Sequence, residues 1–72
     1  MITVTLSNEK VKQTTPDFLY NLQKNVNCAF PNYNVNCEFG EIDSPYTIEG
    51  GNVNAQMDIS MFIEDNSELF FA

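Results

Sequence analysis

Apolar and polar residues alternate at the start of the chain. Ile2, Val4 and Leu6 are separated by Thr3 and Thr5. A period of two, with β-branched residues throughout, is typical of a strand that buries one face. The sequence therefore predicts that the chain begins with a half-buried β-strand.

A helix start follows at Thr15-Pro16-Asp17. Thr15 can cap a helix, Pro16 suits the first helical position, and Asp17 favours the positive end of the helix dipole. The next apolar residues have the spacing of a single helical stripe: Phe18, Leu19, Leu22 and Val26. We therefore expect a helix from about Pro16 to about Val26, ending in the Asn-rich stretch before Pro31.

Alternation resumes after this helix and predicts two more strands. In the second strand, apolar and polar positions alternate along Tyr33, Asn34, Val35, Asn36, Cys37, Glu38 and Phe39. After a loop over residues 40–45, Tyr46 and Ile48 begin a third strand. Gly50-Gly51 has the composition of a two-residue hairpin turn.

The longest alternation comes after the two glycines and predicts a fourth strand. Its apolar face holds Val53, Ala55, Met57, Ile59, Met61 and Ile63, and its other face holds Asn54, Gln56, Asp58, Ser60 and Phe62. A hairpin at Gly50-Gly51 would set Ile48 opposite Val53, so that apolar residues meet across the strands. We therefore expect one α+β domain over residues 1–72, in the order β-α-β-β-β, with one helix packed on a mostly antiparallel sheet.

Charge is unevenly distributed along the chain. Residues 1–36 carry two acidic residues and three lysines, whereas residues 37–72 carry eight acidic residues and no basic one, which together give a net charge of −7. The eight are Glu38, Glu41, Asp43, Glu49, Asp58, Glu64, Asp65 and Glu68. One interpretation is an acidic surface that binds a basic partner. The alternative is a solvated acidic face that serves solubility alone.

The residue types that are missing exclude many functions. With no His and no Arg in the sequence, there is no histidine general base, no Cys-His pair and no arginine clamp for phosphate. So acidic a chain is also unsuited to direct contact with nucleic acid. Two cysteines without histidine make a poor zinc site, and the acidic pairs lack a calcium-loop spacing. We expect a binding protein that is not an enzyme and holds no metal or cofactor.

The N-terminus and the cysteines indicate a cellular location. The chain opens without the basic and apolar regions of a signal peptide, and no apolar run approaches the length of a membrane span. We therefore expect a cytoplasmic protein that does not contact membranes. In that compartment Cys28 and Cys37 should be reduced, with Cys37 packed on the apolar face of the second strand.

The polar face of the predicted sheet is the candidate binding surface. It would display Glu38, Glu49 and Asp58 among amides and hydroxyls, with same-face residues roughly 6.6 Å apart along a strand. Because this spacing resembles that of phosphates along DNA, the carboxylates could imitate a phosphate row. The alternative is an ordinary polar sheet surface.

Aromatic and apolar residues are concentrated near the C-terminus: Phe62, Leu69, Phe70 and Phe71. Either this tail folds back into the core, or it forms an interface. A short chain gains stability from oligomerisation, so the interface interpretation predicts a homodimer.

A small, acidic, Asn-rich chain without catalytic residues resembles the phage-encoded DNA-mimic proteins, and in particular a phage inhibitor of the bacterial DNA sliding clamp. The tail Asn66-Ser67-Glu68-Leu69-Phe70 is also similar to the clamp-binding peptide Gln-Leu-Ser/Asp-Leu-Phe, with Asn for Gln and Ser for the first Leu. The resemblance implies that the protein fills the DNA channel of the host clamp and blocks replication. The alternatives are an acidic inhibitor of a CRISPR or restriction nuclease, and a small structural or assembly protein of a virion.

Overall fold

The structure, a computed structural model, describes residues 1–71. Along this part of the chain the elements are β1 (Ile2–Ser7), α1 (Pro16–Ala29), β2 (Val35–Gly40), β3 (Tyr46–Glu49), α2 (Val53–Asp65) and α3 (Ser67–Phe70). The strands form one mixed sheet in the order β2-β1-β3, in which β1 is parallel to β2 and antiparallel to β3. The α+β class is therefore confirmed.

Strand β1 and helix α1 lie where the sequence predicts them. The Thr15 hydroxyl accepts a hydrogen bond from the Phe18 N–H at 3.2 Å, and Pro16 occupies the first helical position. Leu22 and Val26 are buried beneath the helix, which continues to Ala29, one turn beyond its predicted end. The capping residues and the apolar stripe thus predict the start and the buried face of this helix, while its predicted end falls three residues short.

The expectation of a mostly antiparallel sheet is wrong, because one of the two strand pairings is parallel. Ile2 lies opposite Val35 and Val4 lies opposite Cys37 in the parallel pair. A parallel neighbour requires a crossover connection, and α1 provides it between β1 and β2.

The predicted fourth strand is also wrong, since these residues form helix α2. The Asn52 side chain caps it by accepting from the Ala55 N–H at 2.8 Å. Ala55, Ile59 and Ile63 recur every four residues and are buried. The remaining apolar residues of the alternation form a second stripe that is exposed: Val53, Met57 and Met61.

The two glycines make a turn from strand to helix rather than the predicted hairpin. Both have positive φ, 86° at Gly50 and 72° at Gly51, a region that favours glycine. A Cβ at Gly50 would also lie 2.5 Å from the carbonyl oxygen of Met1. The predicted pairing of Ile48 with Val53 therefore does not form, and Ile48 pairs with Val4.

Both long helices contribute to the core on one face of the sheet. The buried apolar residues are Ile2, Val4, Leu6, Val11, Leu22, Val26, Val35, Cys37, Ala55, Ile59, Ile63 and Phe70. The opposite face of the sheet holds Thr3, Thr5 and Thr47 at its centre. The molecule thus has a helical layer, a buried middle and an open polar sheet face.

The tail folds back onto the core. Phe70 is buried, and its ring lies edge-on to Phe18 with 6.1 Å between the ring centroids. The Lys12 N–H donates to the Phe70 carbonyl at 2.9 Å, and Val11 forms a β-bridge with Phe71.

None of the helices within residues 1–71 combines the length and apolarity that crossing a bilayer requires.

Candidate protein-binding surface

The eight acidic residues of the second half lie on both outer faces of the molecule. Glu38 and Glu49 lie on the open sheet face, and Glu41 and Asp43 lie in the loop between β2 and β3. Helix α2 carries Asp58, Glu64 and Asp65, and helix α3 carries Glu68. Seven are exposed, and Asp58 is half-buried. The acids of the second half therefore lie on the open sheet face, on the loop between β2 and β3, and on the helices α2 and α3.

The open sheet face does not carry the predicted row of carboxylates. In the register of the sheet, Glu38 lies beside Thr5, and Glu49 lies beside Thr3 on the other side of β1. The two glutamates are two strands apart across the sheet and two residues apart along the strand direction. These offsets separate their backbones by roughly 12 Å. Asp58, the third expected member, is on α2 instead. Phosphate-like spacing along a strand is therefore not present among these three.

Asp58 has a structural partner within the molecule. The Tyr33 hydroxyl donates to its Oδ2 at 2.8 Å. This hydrogen bond, together with burial and the negative charge of Asp58, raises the pKa of Tyr33. Phe30 stacks on Tyr33 and packs edge-on to Phe62. These contacts join α2 to the segment that follows α1.

Glu64 has a similar role at the other end of α2. The Tyr46 hydroxyl donates to Glu64 Oε1 at 2.9 Å and lies 2.8 Å from Ser60 Oγ. Burial raises the pKa of Tyr46, and the Glu64 carboxylate raises it further, against the lowering effect of Ser60. Glu64 remains exposed to solvent, while its hydrogen bond to Tyr46 restrains the side chain.

Glu41 and Asp43 line a cleft of about 260 Å³ at the carboxyl ends of β1 and β2. Glu9 lines the same cleft. Lys10 Nζ donates to the Asp43 carbonyl at 2.6 Å, and Lys12 Nζ donates to the Glu68 carbonyl. In the described residues 1–71, no group of three or more His, Cys, Asp or Glu side chains is arranged to hold a metal ion. This cleft is one part of the acidic surface.

Two polar residues that the sequence did not single out cap one edge of the sheet. Asn27 accepts from the Val35 N–H at 3.0 Å and donates to the Val35 carbonyl at 2.9 Å. Gln23 accepts from the Cys37 N–H at 2.9 Å. The two side chains lie one turn apart on α1 and satisfy three outward backbone groups of β2, the Val35 N–H and C=O and the Cys37 N–H. Amides are common on exposed helix faces, so the sequence carries no distinctive signal for this role.

Of the predicted apolar interface, only Leu69 is largely free, with 67% of its surface exposed. Phe70 is buried, and Phe62 and Phe71 pack against the core. The homodimer stays a prediction, and three of its four named residues already have intramolecular partners.

Both cysteines are free thiols, and they differ in environment. Cys28 is exposed on α1, whereas Cys37 is buried in the sheet, as its alternation predicted. Burial raises the pKa of Cys37 to about 11. The neutral thiol therefore packs as a small hydrophobic side chain.

No protein-family model matches the chain, and it has no match among curated proteins or solved structures. The geometry and charge of this surface therefore carry the inference about function.

Proposed function

We propose that this protein is a non-enzymatic phage inhibitor that occupies the DNA channel of the host sliding clamp and blocks replication. The observation that carries the proposal is the exposure of seven of the eight carboxylates of the acidic half. Carboxylates can meet the Lys and Arg side chains that normally contact DNA phosphates, and the bound protein then excludes the duplex.

The distribution of charge favours a channel over a flat surface. Glu38 and Glu49 lie on the open sheet face, while Asp65 lies on a helix of the opposite layer. A flat basic surface would contact one of these faces, whereas an enclosed basic channel contacts both.

The position of the tail argues against docking as a clamp-binding peptide. That mode needs both Leu69 and Phe70 as apolar anchors in an external pocket. Phe70 is buried against Phe18 in this fold, so its release would require helix α3 to detach from the core.

The proposal is tested by measuring binding to purified clamp while one face of the protein is neutralised at a time. We expect Glu38→Gln with Glu49→Gln, and Glu64→Gln with Asp65→Asn, each to weaken binding and to reduce its salt dependence. Asp17→Asn removes an exposed carboxylate at the start of α1, so it is the control and should have a smaller effect. Competing DNA should also reduce binding.

Two outcomes would contradict the proposal in different ways. The absence of clamp binding at low salt would reject the clamp as the target. Clamp binding that responds neither to salt nor to DNA would reject the channel mode.

A further inference from the structure

The two edges of the sheet differ in how their backbone groups are satisfied. The edge formed by β2 is capped by the side chains of Gln23 and Asn27. The edge formed by β3 has no such cap among the described residues, where β3 pairs only with β1. An uncapped edge strand presents a template on which another strand can pair.

The backbone groups at this edge can be assigned from the register. The Ser7 N–H donates to the Pro45 carbonyl at 2.9 Å, and hydrogen-bonded pairs alternate along an antiparallel ladder. Thr47 and Glu49 therefore bond to β1 as well. Tyr46 and Ile48 direct their N–H and C=O groups outward, which leaves two donors and two acceptors for an added strand.

An apolar groove lies directly beside these groups. It has a volume of about 290 Å³ between β3 and α2, and its lining includes Ile48, Val53 and Met57. Val53 is 69% exposed and Met57 is 57% exposed. These two residues belong to the second stripe of α2, which no part of the described chain covers.

The charge beside the groove selects the kind of occupant. Glu49 ends β3 on the open sheet face, and Glu64 is held near the other end of the strand by the Tyr46 hydroxyl. A second copy of this chain would bring the same carboxylates and another net charge of −7, and like charges across paired strands are destabilising. A basic segment from a different protein complements this edge.

We propose that the β3 edge binds an extended segment of a partner protein as a fourth strand, and that this segment alternates apolar and basic residues. Side chains of a strand point alternately to the two faces of a sheet. The apolar side chains would enter the groove beside Met57, and the basic ones would lie near Glu49 on the open face. Backbone hydrogen bonds would supply the affinity, and the alternating side chains would supply the specificity. This binding mode is independent of the clamp and of DNA mimicry.

The experiment is an NMR titration of the ¹⁵N,¹³C-labelled full chain with a blocked peptide, Lys-Val-Lys-Val-Lys-Val-Lys. We expect saturable shifts at the amides of Tyr46 and Ile48, slower hydrogen exchange at both, and a shift of the Met57 methyl group. A second peptide in which Pro replaces each Val keeps every charge but cannot pair as a strand, so it should bind much more weakly.

A matched pair of variants tests the groove. Met57→Gln should weaken binding by about fivefold, since it removes an apolar contact of order 1 kcal/mol or less. Met61→Gln changes a methionine on the same helix that is 62% exposed and does not line the groove, so it should leave the affinity unchanged. Amide spectra that overlay the wild type show that both variants are folded.

Four results would overturn the proposal. These are no saturable shift at Tyr46 and Ile48, equal binding of the proline peptide, equal weakening by the two methionine variants, and concentration-dependent shifts at Ile48 without peptide. The second would assign binding to charge alone, and the last would make a second copy the occupant.

Discussion

Cys37 links the burial of one side chain to the pH dependence of stability. Its pKa in the folded protein is about 11, above the ordinary value of 9.0. Between these values the unfolded chain loses the thiol proton while the folded chain keeps it. The contribution of Cys37 to the free energy of unfolding is therefore fully present below the ordinary pKa of 9.0. It falls as pH rises towards 11, by an amount on the order of 2 kcal/mol.

Urea unfolding over this alkaline range measures the effect. Cys28→Ser alters only the exposed thiol and should keep the slope of stability against pH. Cys37→Ala should flatten the slope of stability against pH at the lower pH values of this range. Tyr33 and Tyr46, whose pKa values are also raised, should maintain a decline at higher pH. An unchanged slope in Cys37→Ala would contradict the assignment.

At the scale of elements, α2 depends on the cap that begins it. Asn52 accepts a hydrogen bond from the Ala55 N–H, and loss of such a cap typically costs about 1 kcal/mol. We expect Asn52→Ala to lower the free energy of unfolding by about this amount in thermal or urea denaturation. Asn54→Ala is the matched control, since Asn54 is an exposed residue inside the same helix and should change stability little.

The same region shows why the sequence predicted some elements and not others. Helix α1 has a cap, a proline and one apolar stripe that all agree. In α2, a buried stripe at Ile59 and Ile63 and an exposed stripe at Met57 and Met61 interleave to imitate a period of two. Thirteen residues that follow an Asn cap are more typical of a helix than of a strand, a signal that the alternation masks.

The capped edge was harder to predict. Gln23 and Asn27 become informative only once β2 is known to lie parallel to β1 with α1 beside its outer edge. Neither residue type has a distinctive pattern in sequence, because amides are common on exposed helix faces. Their role depends on the tertiary arrangement, as does the open edge of β3 on the other side.

At the scale of the whole molecule, the charge count was visible in the sequence and its geometry was not. The prediction that Asp58 lies on a sheet face followed from the predicted fourth strand, so the wrong strand and the wrong position of Asp58 have the same cause. The helix moves Asp58 to a contact with Tyr33, and the remaining acids lie on both layers. An acidic protein with charge on opposite faces is suited to being enclosed, which is the geometric basis for the channel proposal.

The tail supplies a whole-molecule test that separates folding from recognition. Phe70 is buried whereas Leu69 is 67% exposed, although both match the anchors of a clamp-binding peptide. Phe70→Ala should lower the free energy of unfolding by about 3 kcal/mol or more, a large share of the stability of so short a chain. Leu69→Ala should leave stability within about 0.5 kcal/mol of the wild type.

Clamp binding by the folded Leu69→Ala variant then distinguishes the two modes. In the channel mode the energy is spread over many carboxylates, so this variant should bind as the wild type does and keep its salt dependence. In the peptide mode Leu69 is a concentrated anchor, and its loss should abolish binding. Loss of binding in Leu69→Ala with unchanged thermal stability would therefore reject the channel mode, because an exposed leucine contributes to the interaction only where a partner covers it.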